Sequence, residues 1–129
     1  RYAGAIARRR RQLIGPGGWY TPVNEPSFMA WAGGEVGWFA PFGTGRGDDL
    51  KMRLVRAAIA AMAAIRSEDP LARFVNADPV CHAVAPEDAP ELADEAGEFT
   101  AYQWQAWDMI AGAGWHDFGE GQNFSMSSA

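Results

Sequence analysis

The order of secondary-structure signals in this chain of 129 residues predicts an α/β fold. Three observations carry that expectation. Helical and strand-like segments alternate as helix, strand, helix, strand, helix, the order that crossover-connected parallel strands produce. Two parallel strands flanked by three helices leave open edges on both sides, so the sequence asks for a larger sheet or barrel than it supplies. Polar strand ends coincide with a long aromatic loop, and function in parallel α/β proteins gathers where strands end.

The elements follow in order. Residues 2–14 read as a helix with Ile6, Leu13 and Ile14 inward, stopped by Gly15-Pro16-Gly17-Gly18. Residues 19–24 are β-prone, and Pro22, which has no backbone donor, is tolerable there only near the strand's end. Residues 25–47 read as a long structureless loop rich in glycine and in aromatics (Phe28, Trp31, Trp38, Phe39, Phe42), a content that argues for function over disorder. Asp48-Asp49 offers a helix cap with acidic charge at the positive end of the dipole. Leu50, Leu54, Ala58, Met62 and Ile65, with Val55 and Ile59 beside them, then form a stripe at helical period. Glu68-Asp69-Pro70 ends that helix, residues 73–77 form the second strand, and Asp78-Pro79 follows. An acidic helix over about 90–111 places Phe99, Gln103, Ala106 and Ile110 on one side, with Gly112 and Gly114 as stops.

Composition excludes several function classes. No run approaches the roughly 20 apolar residues of a membrane span. The arginine-rich start is not followed by the apolar core of a secretory signal. The single cysteine, Cys81, excludes an internal disulfide, reads as a small apolar filler and fits a reducing, cytoplasmic setting. His82 and His116 lack ligand spacing, so no metal and no other cofactor is called for. Charge before Gly15 is wholly basic, whereas 87–120 is acidic without a Lys or Arg. Four consecutive arginines, Arg8 to Arg11, point around a helix rather than along one face, and a net charge of −5 argues against nucleic acid as a partner. The start at Arg1, directly in a helix, reads as a cut, and 119–129 reads as a polar tail, giving a domain over 1–118.

Asn24-Glu25-Pro26 ends the first strand and Asp78-Pro79 the second, with the aromatic loop on the same side. A carboxylate among tryptophans suits a sugar: aromatic faces stack on pyranose C–H surfaces, and acid and amide groups bond the hydroxyls. The run Trp19-Tyr20-Thr21-Pro22-Val23-Asn24-Glu25-Pro26 resembles the strand-four signature of the barrel glycoside hydrolases that include the family 1 β-glucosidases. The following Gly34-x-x-Gly37-x-x-x-Pro41 is similar to the loop after that strand. Pro22-Val23 stands where the family usually has a larger apolar residue before Asn-Glu-Pro.

The resemblance covers roughly residues 2–110 and implies part of a (β/α)8 TIM barrel, from about the third helix to the fifth. It implies a retaining hydrolase in which Glu25 is the general acid/base and Asn24 bonds the sugar 2-hydroxyl. The nucleophile, a glutamate at the end of strand seven in that family, would lie outside this chain. Trp31, Asp78 and His82 complete the candidate substrate contacts. Each also has a plain structural reading: Trp31 and Trp38 as caps of the barrel mouth, Asp78 as a turn former beside His82, Glu25 as a loop carboxylate, His116 as a bystander. The rival functions are a carbohydrate-binding relative that does not hydrolyse and, from the arginine run, a nucleic-acid-binding helix. A carbohydrate substrate, no membrane, and self-association of the incomplete barrel are the expected partnerships.

Overall fold

The computed structural model describes residues 1–112 and divides into two compact units, one over Arg1–Pro79 and one from Val80 onward. The tail at 119–129, with Gly114 and His116, lies outside the described residues. The first unit runs α1 (Tyr2–Ile14), β1 (Trp19–Tyr20), α2 (Pro26–Ala30), a π-helical turn (Trp31–Glu35), α3 (Gly47–Glu68) and β2 (Arg73–Phe74). The second holds a 3-10 turn (Pro90–Leu92) leading into α4 (Ala93–Ala111).

The strands pair in parallel, Trp19 with Arg73 and Tyr20 with Phe74, but α2 and the π-helical turn add helix where a loop is expected. Helices take up most of the described residues and each strand has two residues, so the expected part of a (β/α)8 barrel gives way to a mainly helical chain with one short ladder. The physical reason lies just past the ladder. Val75 N–H still donates to Tyr20 O at 2.9 Å, but Pro22 has no N–H to return. Farther along, Ala77 O accepts the N–H of Glu25 at 2.8 Å, so this stretch serves a turn instead of a sheet.

Helix α1 turns over relative to expectation. Ile6, Leu13 and Ile14 are exposed, while Gly4 and Ala7 are buried against α3. Small residues decide the contact face: a Cβ on Gly4 would stand 3.2 Å from Ala64 O, a tight approach that a larger residue could make only if α3 gave way by a few tenths of an ångström. The arginine run works locally. Arg8 forks onto Glu68, Arg11 Nη1 donates to Glu68 O at 2.8 Å, and Arg10 Nη1 donates to Gly15 O at 2.9 Å. Behind the glycine turn, the fully buried Asp69 carboxylate accepts Gly17 N–H with both oxygens at 3.0 Å and Gly18 N–H at 3.1 Å. The Gly17 bond leads the effects that hold this carboxyl below its ordinary range, against the pull of burial.

Residues 25–47 are not structureless. Pro26 starts α2 at a position where its missing donor costs nothing. The buried Ala30, Ala32, Gly33 and Gly34 then let the π-helical turn press on its neighbours. The segment beyond folds back on that turn: Trp38 N–H donates to Ala32 O at 2.7 Å, Gly43 N–H to Gly33 O at 2.8 Å and Arg46 N–H to Gly34 O at 2.9 Å. Helix α3 takes its N-terminal bond from afar, Glu35 Oε2 accepting Gly47 N–H at 3.0 Å, while Asp48 and Asp49 sit in the first turn without capping it. Its buried line is Gly47, Lys51, Val55, Ala58 and Ile65.

In the second unit α4 buries Gln103, Ala106 and Met109, leaves Phe99 exposed, and ends at Gly112 in the left-handed conformation. The Gln103 side chain acts as a substitute strand: its Oε1 accepts Cys81 N–H at 2.7 Å and its Nε2 donates to Cys81 O at 2.9 Å. Thr100 Oγ1 accepts Ala83 N–H at 3.1 Å. Cys81 itself is exposed, so it is not the apolar filler the sequence suggested. No helix among the described residues is long and apolar enough to cross a membrane.

Candidate functional site

Glu25 occupies an unusual position. It is half-buried, precedes α2 as its N-cap residue, and holds φ 49° and ψ 58°, the left-handed region that disfavours a side chain with a Cβ. Two backbone bonds hold it there. Its N–H donates to Ala77 O at 2.8 Å and its carbonyl accepts Met29 N–H at 2.9 Å. The Glu25 side chain makes no capping bond to α2.

The cap comes instead from Asp78. Both of its oxygens accept the buried Ser27 N–H, at 3.1 and 3.2 Å. The expectation that Asp78 contacts substrate therefore meets a carboxylate already engaged in the turn. Asn24 is exposed beside Glu25.

Trp31 begins the π-helical turn six residues past Glu25. It is half-buried, edge-on to Trp38 with ring centroids 4.7 Å apart, and 6.0 Å from Phe28, which is in turn 6.0 Å from Phe39. Trp38 and Phe42 stay about two-thirds exposed, at 67% and 68%. Glu25, Asn24, Trp31 and Asp78 thus belong to one unit. His82 belongs to the other, where it lines a shallow cleft of about 420 Å³ with Val84, Ala93, Ala96 and Thr100. Among the described residues no group of three or more His, Cys, Asp and Glu could hold a metal.

The sequence reading passed over Lys51. It lies in the opening turns of α3, the helix against which α2 packs, and is 1% exposed. Burial pulls its pKa down to about 7, and the charges of Asp48 and Asp78 work in the opposite direction. A signal was present: Lys51 is four residues before Val55 and seven before Ala58, on the same helical stripe. A lysine in phase with buried apolar positions is the sequence mark of a buried charge. Two further polar groups, the Tyr20 hydroxyl and the Asn76 amide nitrogen, are buried near the ladder without a hydrogen-bond partner among the described residues.

No family model matches this chain, and neither a curated protein nor a solved structure shows significant similarity to it.

Proposed function

We propose that this chain carries the acid/base half of a glycoside-processing site, with Glu25 as the general acid/base of a retaining O-glycosidase. The observation that supports it best is the left-handed backbone of Glu25. A non-glycine residue in that region costs of order 1 kcal/mol or more and persists where its surroundings hold it, a pattern concentrated at functional sites. Bonds to Ala77 and Met29, and the Asp78 anchor two residues on, keep it there. Glu25 protonates the departing glycosidic oxygen, then takes the proton from the water that releases the sugar. Asn24 bonds the 2-hydroxyl, a contact that tightens as positive charge grows on the sugar ring. Trp31 supplies an aromatic face for the pyranose.

A second reading is a carbohydrate-binding protein that does not hydrolyse. Retaining chemistry needs another carboxylate about 5–5.5 Å from the first. Asp78, the other acid of this turn, is committed to Ser27 with both oxygens, which favours that second reading for residues 1–112 taken alone.

The test is titration of the whole chain with an iminosugar, whose ring cation mimics the developing charge. The Asn24, Glu25 and Trp31 amide signals are followed by NMR. The proposal expects saturable shifts that Glu25→Gln weakens about tenfold, the scale of one charged hydrogen bond. Equal binding by both proteins would overturn the acid/base role. Nitrophenyl glycosides separate the two readings only where a second carboxylate stands near Glu25: in a longer protein that supplies one, release that Glu25→Gln slows and azide restores to Glu25→Ala means hydrolysis, and binding without release means the carbohydrate-binding protein.

A further inference from the structure

Helix α1 carries an apolar line on its solvent side. Tyr2, Ile6 and Leu13 fall on one helical face, opposite the buried Gly4 and Ala7, and all three are exposed. Arg9 lies on that line between Ile6 and Leu13. Its neighbours in the arginine run bond to Glu68 or Gly15, whereas Arg9 is exposed and forms no bond among the described residues. Contiguous exposed apolar surface of this kind marks an interaction face.

A surface of matching form stands on the second unit. The shallow cleft of about 420 Å³ lies between residues 82–85 and α4, and its α4 wall is made of small residues, among them Ala93, Ala96, Gly97 and Ala101. A Cβ placed on Gly97 would meet nothing within 4 Å, so this wall is open. Asp94 and Glu98 share a helical face with Gly97 and Ala101, and both acids are exposed. The cleft thus has an apolar wall with two carboxylates along its edge. From Ala93 to Ala101 the helix rises roughly 12 Å, and from Ile6 to Leu13 roughly 10 Å, so the apolar line and the cleft agree in length.

Charge selects the partner. All 11 Lys and Arg stand at or before Arg73, and the second unit has acids with no Lys or Arg. Pairing two α1 faces would bring arginines together, and pairing two α4 faces would bring carboxylates together; like charge opposes both. The surface that suits α1 is the acidic cleft of another copy. We propose that this chain self-associates by laying α1 of one copy into the cleft of a second copy. Tyr2, Ile6 and Leu13 enter the small-residue groove, and Arg9 meets Asp94 and Glu98 at its edge. This is helix-in-groove recognition, with apolar anchors giving affinity and charge giving register. Each copy offers one helix and one cleft, so the contact closes into a dimer where it is reciprocal and otherwise continues from copy to copy. It is independent of the reading of Glu25.

Sedimentation velocity of the whole chain from about 5 to about 500 µM should show association that rises with concentration. Raising NaCl from about 0.05 to about 0.5 M should weaken it at least about tenfold. Two charge-reversed chains then test the contact itself, one with Arg9→Glu and one with Asp94→Lys and Glu98→Lys. Each alone should associate at least about tenfold more weakly, and an equimolar mixture should regain the unaltered affinity within about threefold, because opposite charges face each other again. A monomer at every concentration overturns the proposal, as does association that the reversals leave unchanged or that mixing does not restore. Should circular dichroism show that either chain has lost helix, Ile6→Ser and Leu13→Ser carry the test. Each removes an exposed apolar anchor and should weaken association at least about tenfold, and unchanged association overturns the proposal. Monomers that sediment with vesicles of anionic lipid instead would give α1 a lipid partner, which also overturns it.

Discussion

Lys51 makes stability depend on pH in a range where few other side chains titrate. Its pKa in the folded chain is about 7, because burial disfavours the ammonium. In the unfolded chain a lysine has its ordinary value of about 10.4. Between those values the unfolded chain binds a proton that the folded chain does not, so stability rises with pH across that window. Below about pH 7 both states are protonated and the burial penalty is fully present; above about 10.4 both are neutral and it is gone. The gap of roughly 3.4 units corresponds to about 5 kcal/mol at most, and linkage places about 2.5 kcal/mol of it between about pH 6 and about pH 9. Lys51→Met removes this term and also the contacts of the side chain, but those contacts shift its curve by an offset and leave the slope unaffected. Urea melts of both proteins at matched ionic strength, at about pH 6, 7.5 and 9, should show the unaltered chain gaining about 2.5 kcal/mol on the variant. Curves that stay parallel within about 0.5 kcal/mol would refute the claim that Lys51 is buried at the expense of its charge.

Other substitutions test separate parts of the argument. Asp69→Asn should lower the melting temperature at neutral pH and flatten the acid limb of the stability curve. The Asp69 carboxyl is held below its ordinary range, chiefly by Gly17 N–H. Its contribution is thus complete above the unfolded value of about 3.9 and is lost as pH falls through the lower folded value; an unchanged acid limb would contradict that. Gly33→Ala should destabilise the first unit by about 1–3 kcal/mol, because a Cβ there stands 2.9 Å from Ala40 O, a backbone atom with no rotamer to yield. Gly97→Ala, inside α4 with nothing within 4 Å, should instead stabilise by about 1 kcal/mol, and thermal melts giving both the same sign would contradict the packing described. Glu25→Gly should be more stable than Glu25→Ala by about 1 kcal/mol, since only glycine is at ease at φ 49°; the reverse order would mean that Glu25 is not strained.

Legibility of the sequence followed the range of the forces involved. The long helix α3 was readable because its stripe repeats through many turns, and the end of α4 because Gly112 provides a left-handed stop. Helix α1 was readable in extent but not in facing. Hydrophobicity pointed Ile6, Leu13 and Ile14 inward, whereas contact distance selected Gly4 and Ala7, and no periodicity reveals how close a neighbour comes. The strands were overdrawn because β-prone residues continue past Tyr20 while the ladder stops there. The helical turns within 25–47 are not legible because α2 is capped by a residue 51 positions away and α3 by one 12 positions away, beyond the span of any capping motif. For the site, Asn24 and Glu25 come from a local motif and Trp31 and Asp78 from the loop and strand end beside it; all four fall in one unit, and His82 falls in the other. Lys51 is hidden from any reading of the α3 stripe by hydrophobicity alone, since it occupies a buried position with a charged side chain.

Parallel pairing of Trp19 with Arg73 sets an order of events for the folding chain. No tight hairpin can join such strands, so a loop containing all of α2 and α3 must close before the first ladder bond forms, and loop closure of that length opposes early pairing. The conformation of Glu25 depends on the same closure, since Ala77, which accepts the Glu25 N–H, and Asp78, which accepts the Ser27 N–H, lie just beyond the second strand. A nascent chain on the ribosome can build α1 and much of α3 while Glu25 still samples ordinary backbone. The strained turn forms only after Asp78 has emerged, among the last events in the folding of the first unit.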